Sequence, residues 1–223
     1  MVPLLLQLIA CGARTPVTAA PAPPDAAHMK EVLDAAEAAR LAVIEGDGRA
    51  ARMRLGWLAD HAITTAPPPP ELAPFADQVR AAAATGSDAA TLLEVGLATA
   101  RMGAACGSCH QVAATGPLFP SQDLPAGGEI DAHMARHQWA VDSMWEGLLA
   151  PNEHRWRSGA YAFMESPLGG EPVPGGAQSW MQRVHALGES GLDAVAPEQR
   201  ATLLGELLAT CALCHQASGA GPG

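Results

Sequence analysis

Residues 105 apart match along most of this 223-residue chain. His28-Met29 and His133-Met134 stand at that separation, and so do Cys106 and Cys211. Between them the register holds without a gap: Phe75 aligns with Trp180, Val79 with Val184, Gly86 with Gly191 and Asp88 with Asp193. A period this long marks a duplicated domain, because solenoid units run to about 20–50 residues. The copies span 26–112 and 130–217, with a Gly/Pro-rich linker at 113–129 and a short tail at 218–223. Two modest domains also suit the length, at about 150 residues per domain.

Each copy reads as four helices. Alanine, the strongest helix former, is abundant, and β-branched residues are sparse. In the first copy, Met29, Val32, Leu33, Ala36, Val43 and Ile44 form one stripe. Gly46 stops that helix, and Asp47 can cap the next, which carries Met53, Trp57 and Leu58 and ends near His61. Pro67 to Pro70 cannot lie inside a helix. A third helix is expected over roughly 72–84 and a fourth from about Asp88 to Cys109. Pro197 suits the first turn of the last helix of copy two. With 48% hydrophobic and 16% charged residues the chain is not a disordered acidic tail. A net charge of −10 argues against nucleic-acid binding. The chain contains no internal apolar run of about 18 residues that would span a bilayer.

The opening segment, 1–10, has the length and apolar character of a signal peptide core. It ends in Leu8-Ile9-Ala10-Cys11, which resembles a bacterial lipobox. That resemblance implies cleavage before Cys11 and lipid attachment to it. Residues 11–25, rich in alanine and proline, then form an extended tether to a membrane surface.

The chemistry lies in two pentapeptides, Cys106-Gly107-Ser108-Cys109-His110 and Cys211-Ala212-Leu213-Cys214-His215. Both match the C-x-x-C-H pattern of c-type haem attachment. Two thiols at this spacing can reach the two vinyl groups of one porphyrin edge, and the adjacent histidine can bind iron from the proximal side. A redox dithiol would want a βαβ setting, and zinc-binding pairs stand about 15–20 residues apart rather than a domain apart. The expected cofactors are therefore two haem c groups, held by Cys106, Cys109, Cys211 and Cys214, with His110 and His215 as proximal ligands.

Placement of this motif at the end of the last of four helices resembles the class II c-type cytochromes, the cytochrome c′ group of four-helix bundles. The resemblance implies an all-α fold of two tandem four-helix bundles of up-down-up-down type. In such a bundle the start of helix one meets the end of helix four. Met29 stands 77 residues before Cys106, and Met134 stands 77 before Cys211. The low-spin members of the group use a helix-one methionine, which makes Met29 and Met134 the expected distal ligands. Histidine competes: His28 and His133 precede the two methionines, and His137 lies one turn beyond Met134 where copy one has Val32. The stripe of Ile130, Met134, Val141, Met144, Trp145 and Leu148 points Met134 inward. Trp57, Trp139, Trp145, Trp156 and Trp180 read as packing or haem-wall residues. His61, His154 and His185 read as surface or satisfied histidines, and Arg52, Arg54, Arg155 and Arg157 as solvated helix faces.

These readings lead to an exported, lipid-anchored dihaem cytochrome at the periplasmic face of a bacterial membrane, carrying electrons and performing no enzymatic step. The charge is −3 over 12–115 and −7 over 116–223, which favours redox donors and acceptors with basic docking surfaces. The alternative is a five-coordinate haem protein that binds nitric oxide or carbon monoxide.

Overall fold

The structure, a computed structural model, describes residues 26–62, 68–127, 130–164 and 176–219. The expected signal segment, tether and Cys11 lie outside the described residues, as do residues 165–175, which make up most of the copy-two equivalent of the proline loop. The described residues are all-helical, with no strand among them. The first copy supplies α1 (Ala26–Ile44), α2 (Gly48–His61), α3 (Ala73–Ser87) and α4 (Leu92–Ala113). The second supplies α5 (Ile130–Leu149), α6 (Glu153–Met164), α7 (Gln178–Asp193) and α8 (Pro197–Ser218).

Local chemistry sets the boundaries. The Asp47 carboxylate accepts the Ala50 N–H at 2.8 Å and starts α2. α4 starts at Leu92, later than the expected Asp88, because Thr91 and Glu94 form a reciprocal capping box. α3 runs on past the expected end near 84, through Gly86 to Ser87. That glycine serves packing: a Cβ there would meet Leu55 Cδ1 at 2.6 Å and Ala98 Cβ at 2.9 Å. α4 ends on Ala114 in the left-handed conformation, φ 50°, and α8 ends on Gly219, φ 66°. Those two residues are 105 apart, so both copies use the same C-terminal turn.

Successive helices pack along each copy, and α4 and α8 pack on each other as extensively as any pair. A single apolar cluster runs from Val32 and Leu55 through Met102 to Trp145, Trp156 and Leu208, so the copies share one core. Glycine permits the α4–α8 approach. A Cβ on Gly96 would meet the Gly205 carbonyl oxygen at 2.7 Å, and one on Gly205 would meet Leu97 Cα at 2.6 Å.

The copies also exchange contacts reciprocally. Glu37 and Arg40 of α1 are the repeat equivalents of Asp142 and Trp145 of α5. The Arg40 guanidinium, 5% exposed, pairs with Asp142 at 2.7 Å and with Glu37 at 2.9 Å. The Trp145 indole N–H donates to Glu37 at 2.6 Å. The two contacts are thus the same pairing read in both directions, as in an isologous interface folded into one chain.

Candidate haem-attachment sites

Each C-x-x-C-H motif occupies the last turns of a helix, α4 or α8. Cysteines three residues apart share a helix face, so both thiols of a pair point the same way. All four are free thiols. Burial, reinforced by the neighbouring Cys109, pushes the Cys106 thiol up to about 12; burial and Cys214 do the same to Cys211. A redox-active dithiol needs a thiolate stabilised near neutral pH, and these environments do the opposite.

The histidines that close the motifs are held by the opposite copy. His110 Nδ1 lies 2.8 Å from the carbonyl oxygen of Leu149, at the end of α5. His215 Nδ1 lies 3.3 Å from the carbonyl oxygen of Ile44, at the end of α1. Leu149 and Ile44 are again 105 apart. A carbonyl can only accept, so Nδ1 must carry the proton and donate it. In a neutral imidazole held this way the lone pair is on Nε2, the atom that would bind a metal. Close packing secures the first contact. A Cβ on Gly107 would overlap the Leu148 carbonyl oxygen and meet Pro151 Cγ at 3.3 Å. A Cβ on Gly116, from the linker, would meet His110 Cβ and Cγ at 3.2 Å. In the second site Ala212 replaces Gly107, and Gly46 replaces Pro151 to receive it.

The distal candidates divide differently from the expected pattern. His133 is buried, at 7% exposure, while Met134 is only half-buried. The helix therefore turns His133 inward where the apolar stripe favoured Met134. His28 and Met29 are both half-buried, and Met29 packs against the apolar core. Nε2 of His28 and Nε2 of His133 are both buried without a hydrogen-bond partner. An orphan nitrogen at the same repeat position in both copies is costly and calls for a ligand or another explanation.

The second copy adds two more imidazoles. His137 stacks obliquely on His133 at 4.3 Å between ring centres and on Phe163 at 5.2 Å. It lies close enough to His133, His185 and the motif histidine His215 for their charges to act on it. Burial first, then those neighbours, hold His137 down to about 3, so it is neutral. His185, read from the sequence as a surface or satisfied histidine, faces inward from α7. Its Nε2 is buried and unpartnered, and burial lowers its pKa. Sequence reasoning missed it because position 80 of the first copy is an arginine, so no repeat signal marks it. The counterpart of His137 in the first copy is Val32, 5% exposed.

Among the other singled-out residues, Trp145 and Trp156 are fully buried, and each indole N–H is satisfied, by Glu37 and by the Gly191 carbonyl. His61 stacks on Trp57 at 4.8 Å and is exposed, as is His154. Arg155 departs from the solvated-face reading. It pairs with Glu146 and donates to the Phe119 and Pro120 carbonyls, pinning the linker to α6. A polar cavity lined by Trp139, Asp142, Glu146 and Arg155 lies beneath that linker, and neither motif contributes to its lining.

Among the described residues no three His, Cys, Asp or Glu side chains converge to hold a metal ion. A covalently held haem asks for less: two thiols on one edge and axial nitrogen or sulfur on one or both faces. Both motif ends supply this. Comparison with protein-family models, curated proteins and solved structures finds no match to this chain.

Proposed function

We propose that this chain is a dihaem c-type cytochrome of two tandem four-helix bundles, resembling the cytochrome c′ group, that carries electrons. The observation that carries the reading is the matched setting of the two C-x-x-C-H motifs, each at the end of a helix with its histidine against a backbone carbonyl of the opposite copy. Nδ1 of His110 lies 2.8 Å from the Leu149 carbonyl oxygen and Nδ1 of His215 3.3 Å from that of Ile44, and the cysteines of both motifs are free. The thiols of Cys106, Cys109, Cys211 and Cys214 would hold the two haems, and the imidazoles would bind iron. When bound, such groups supply one-electron exchange between ferric and ferrous iron. The protein's contribution is orientation and a dry wall: Met102, Leu207 and Leu208 are buried one to two turns before the motifs. The carbonyl bonds make each proximal imidazole more basic and fix its plane.

The lipobox at Cys11 and the proline-rich tether support export and anchoring at the periplasmic face of a membrane. Net negative charge supports docking of redox partners through basic surfaces, an attraction that salt screens. The test is a potentiometric titration of the purified holoprotein. Two haems should take up two electrons per chain reversibly, and exchange with a basic redox partner should slow as ionic strength rises. Failure to cycle reversibly would contradict electron transfer. Uptake of carbon monoxide by both ferrous haems would instead favour a gas-binding protein.

A further inference from the structure

Two imidazole nitrogens are buried without a hydrogen-bond partner at the same repeat position. They are Nε2 of His28, in α1, and Nε2 of His133, in α5. Each histidine stands 78 residues before the first cysteine of its own copy's motif, Cys106 or Cys211. An unmet buried nitrogen is costly, and the same cost borne twice at matched positions marks a shared site rather than a packing fault. The interior does satisfy its largest polar side chains: the buried Trp145 and Trp156 indoles both find acceptors. We infer that His28 and His133 are the distal axial ligands of the first and the second haem, each through Nε2, so that both irons carry two imidazoles. The inference rests on the haem reading above.

Topology brings each of these histidines to the end of the bundle that carries its motif. In the second copy Arg200 pairs with Glu153, and the Trp156 indole N–H donates to the Gly191 carbonyl at 2.7 Å. The starts of α6 and α8 and the end of α7 therefore lie together, and the start of α5 and the end of α8 lie at the opposite end. His137, one turn beyond His133, is 5.2 Å from Phe163 at the end of α6, which fixes the same end. In the first copy a Cβ on Gly48 would meet Leu92 Cδ1 at 3.3 Å, so α2 and α4 start together. The start of α1 and the end of α4 then share the other end. Adjacent helical residues point about 100° apart, so only one of His28 and Met29, or of His133 and Met134, can face an iron. The thioethers carry no unmet polar demand: Met29 packs against the apolar core, and Met134 is half-buried beside His133 at 7% exposure. The other unmet imidazole of copy two, Nε2 of His185, and His137, stacked on His133, both lack a counterpart in copy one. Their equivalents there are Val32, buried in the core, and Arg80, paired with Asp77 at 3.0 Å. The His28–His133 pair alone serves both sites. Two imidazoles give a low-spin iron suited to electron relay, and a methionine in place of one raises the potential.

The test is electron paramagnetic resonance and absorption spectroscopy of the ferric dihaem protein, with covalent haem counted and midpoint potentials measured in every sample. Both haems of the unaltered protein should be low-spin, without a sulfur-to-iron charge-transfer band. His28→Gln and His133→Gln should each convert half of the low-spin signal to high spin at two haems per chain, and the double variant should convert all of it. His28→Met and His133→Met should each keep low spin, add the charge-transfer band and raise one midpoint potential, changes that a packing role would not produce. The methionine variants keep the test intact where a glutamine variant fails to hold haem. Met29→Leu, Met134→Leu, His137→Val and His185→Gln should leave both haems low-spin. The inference is overturned if either haem of the unaltered protein is high-spin or shows that band, or if His28→Gln or His133→Gln leaves both haems low-spin. It is equally overturned if neither histidine-to-methionine change brings the band, or if replacing Met29, Met134, His137 or His185 removes low spin. An unaltered protein without covalent haem would overturn the parent reading instead.

Discussion

Replacing Gly107 with alanine tests the contact that joins the copies at the first motif. The added methyl would overlap the Leu148 carbonyl oxygen and crowd Pro151 Cγ at 3.3 Å. The end of α5 must then retreat by on the order of 1 Å to restore van der Waals distance. Leu149 travels with it, so the bond from His110 Nδ1, now 2.8 Å, stretches beyond hydrogen-bonding range. Overpacking costs about 1–3 kcal/mol, and a buried group that loses its partner about 1–3 kcal/mol. A sum near 4 kcal/mol lowers Tm by about 8–16 °C for a chain of this size. Differential scanning calorimetry of the purified variant reads this directly. In the holoprotein, the weakened carbonyl bond also makes the imidazole a poorer donor to ferric iron, so the first haem's midpoint potential should rise while the second stays put. Ala212→Gly, at the matching position, relieves no clash; it should cost about 1 kcal/mol of helix stability, about 2–4 °C in Tm, and leave both potentials unmoved. A Gly107→Ala protein that melts within about 2 °C of the parent, with both potentials unmoved, would refute the contact and the reasoning built on it.

Other perturbations follow from the same geometry. Ala114→Gly should stabilise the fold by about 1 kcal/mol, read as a rise in the denaturant midpoint, because Ala114 holds φ 50° where the second copy uses Gly219. Arg40→Leu leaves Asp142 and Glu37 facing each other without their cation. With both carboxylates about a third exposed, the cost should be about 2 kcal/mol by chemical denaturation, below that of a fully buried pair. Polypeptide made without haem attachment should lose stability as pH falls below about 6.5, the unfolded histidine value. His133, His137 and His185 have lowered folded values, so the unfolded chain binds more protons there. With His137 held near 3, its share should reach about 2 kcal/mol at pH 5, and His137→Val should remove that share from the acid limb of the stability curve.

The repeat made much of this legible. Its 105-residue period aligned the two motifs and the helix-one residues. Asp47 and Pro197 marked helix starts through chemistry local to a few residues. The Thr91–Glu94 capping box was equally local and would have moved the start of α4 to Leu92. What stayed hidden depends on contacts across the copies. Gly96 and Gly205 are not repeat equivalents, so nothing in the register pairs them, yet they set the α4–α8 approach. Arg40 and Trp145 are equivalents that share no chemistry except the acid each reaches in the other copy. The burial of His133 in place of Met134 reflects the phase of α5 against its neighbours, which an apolar stripe fixes only to within one residue.

The central claim is that thioether-linked iron porphyrin sits on the last turn of α4 and of α8. Intact-mass spectrometry of the exported, denatured protein, paired with its alkaline pyridine absorption spectrum, tests it most directly. The account predicts a chain heavier by two haem groups, both retained after acid-acetone extraction and both lost when the four motif cysteines are replaced by alanine. A colourless chain of unmodified mass, or one whose haem washes out with the extraction, would contradict it.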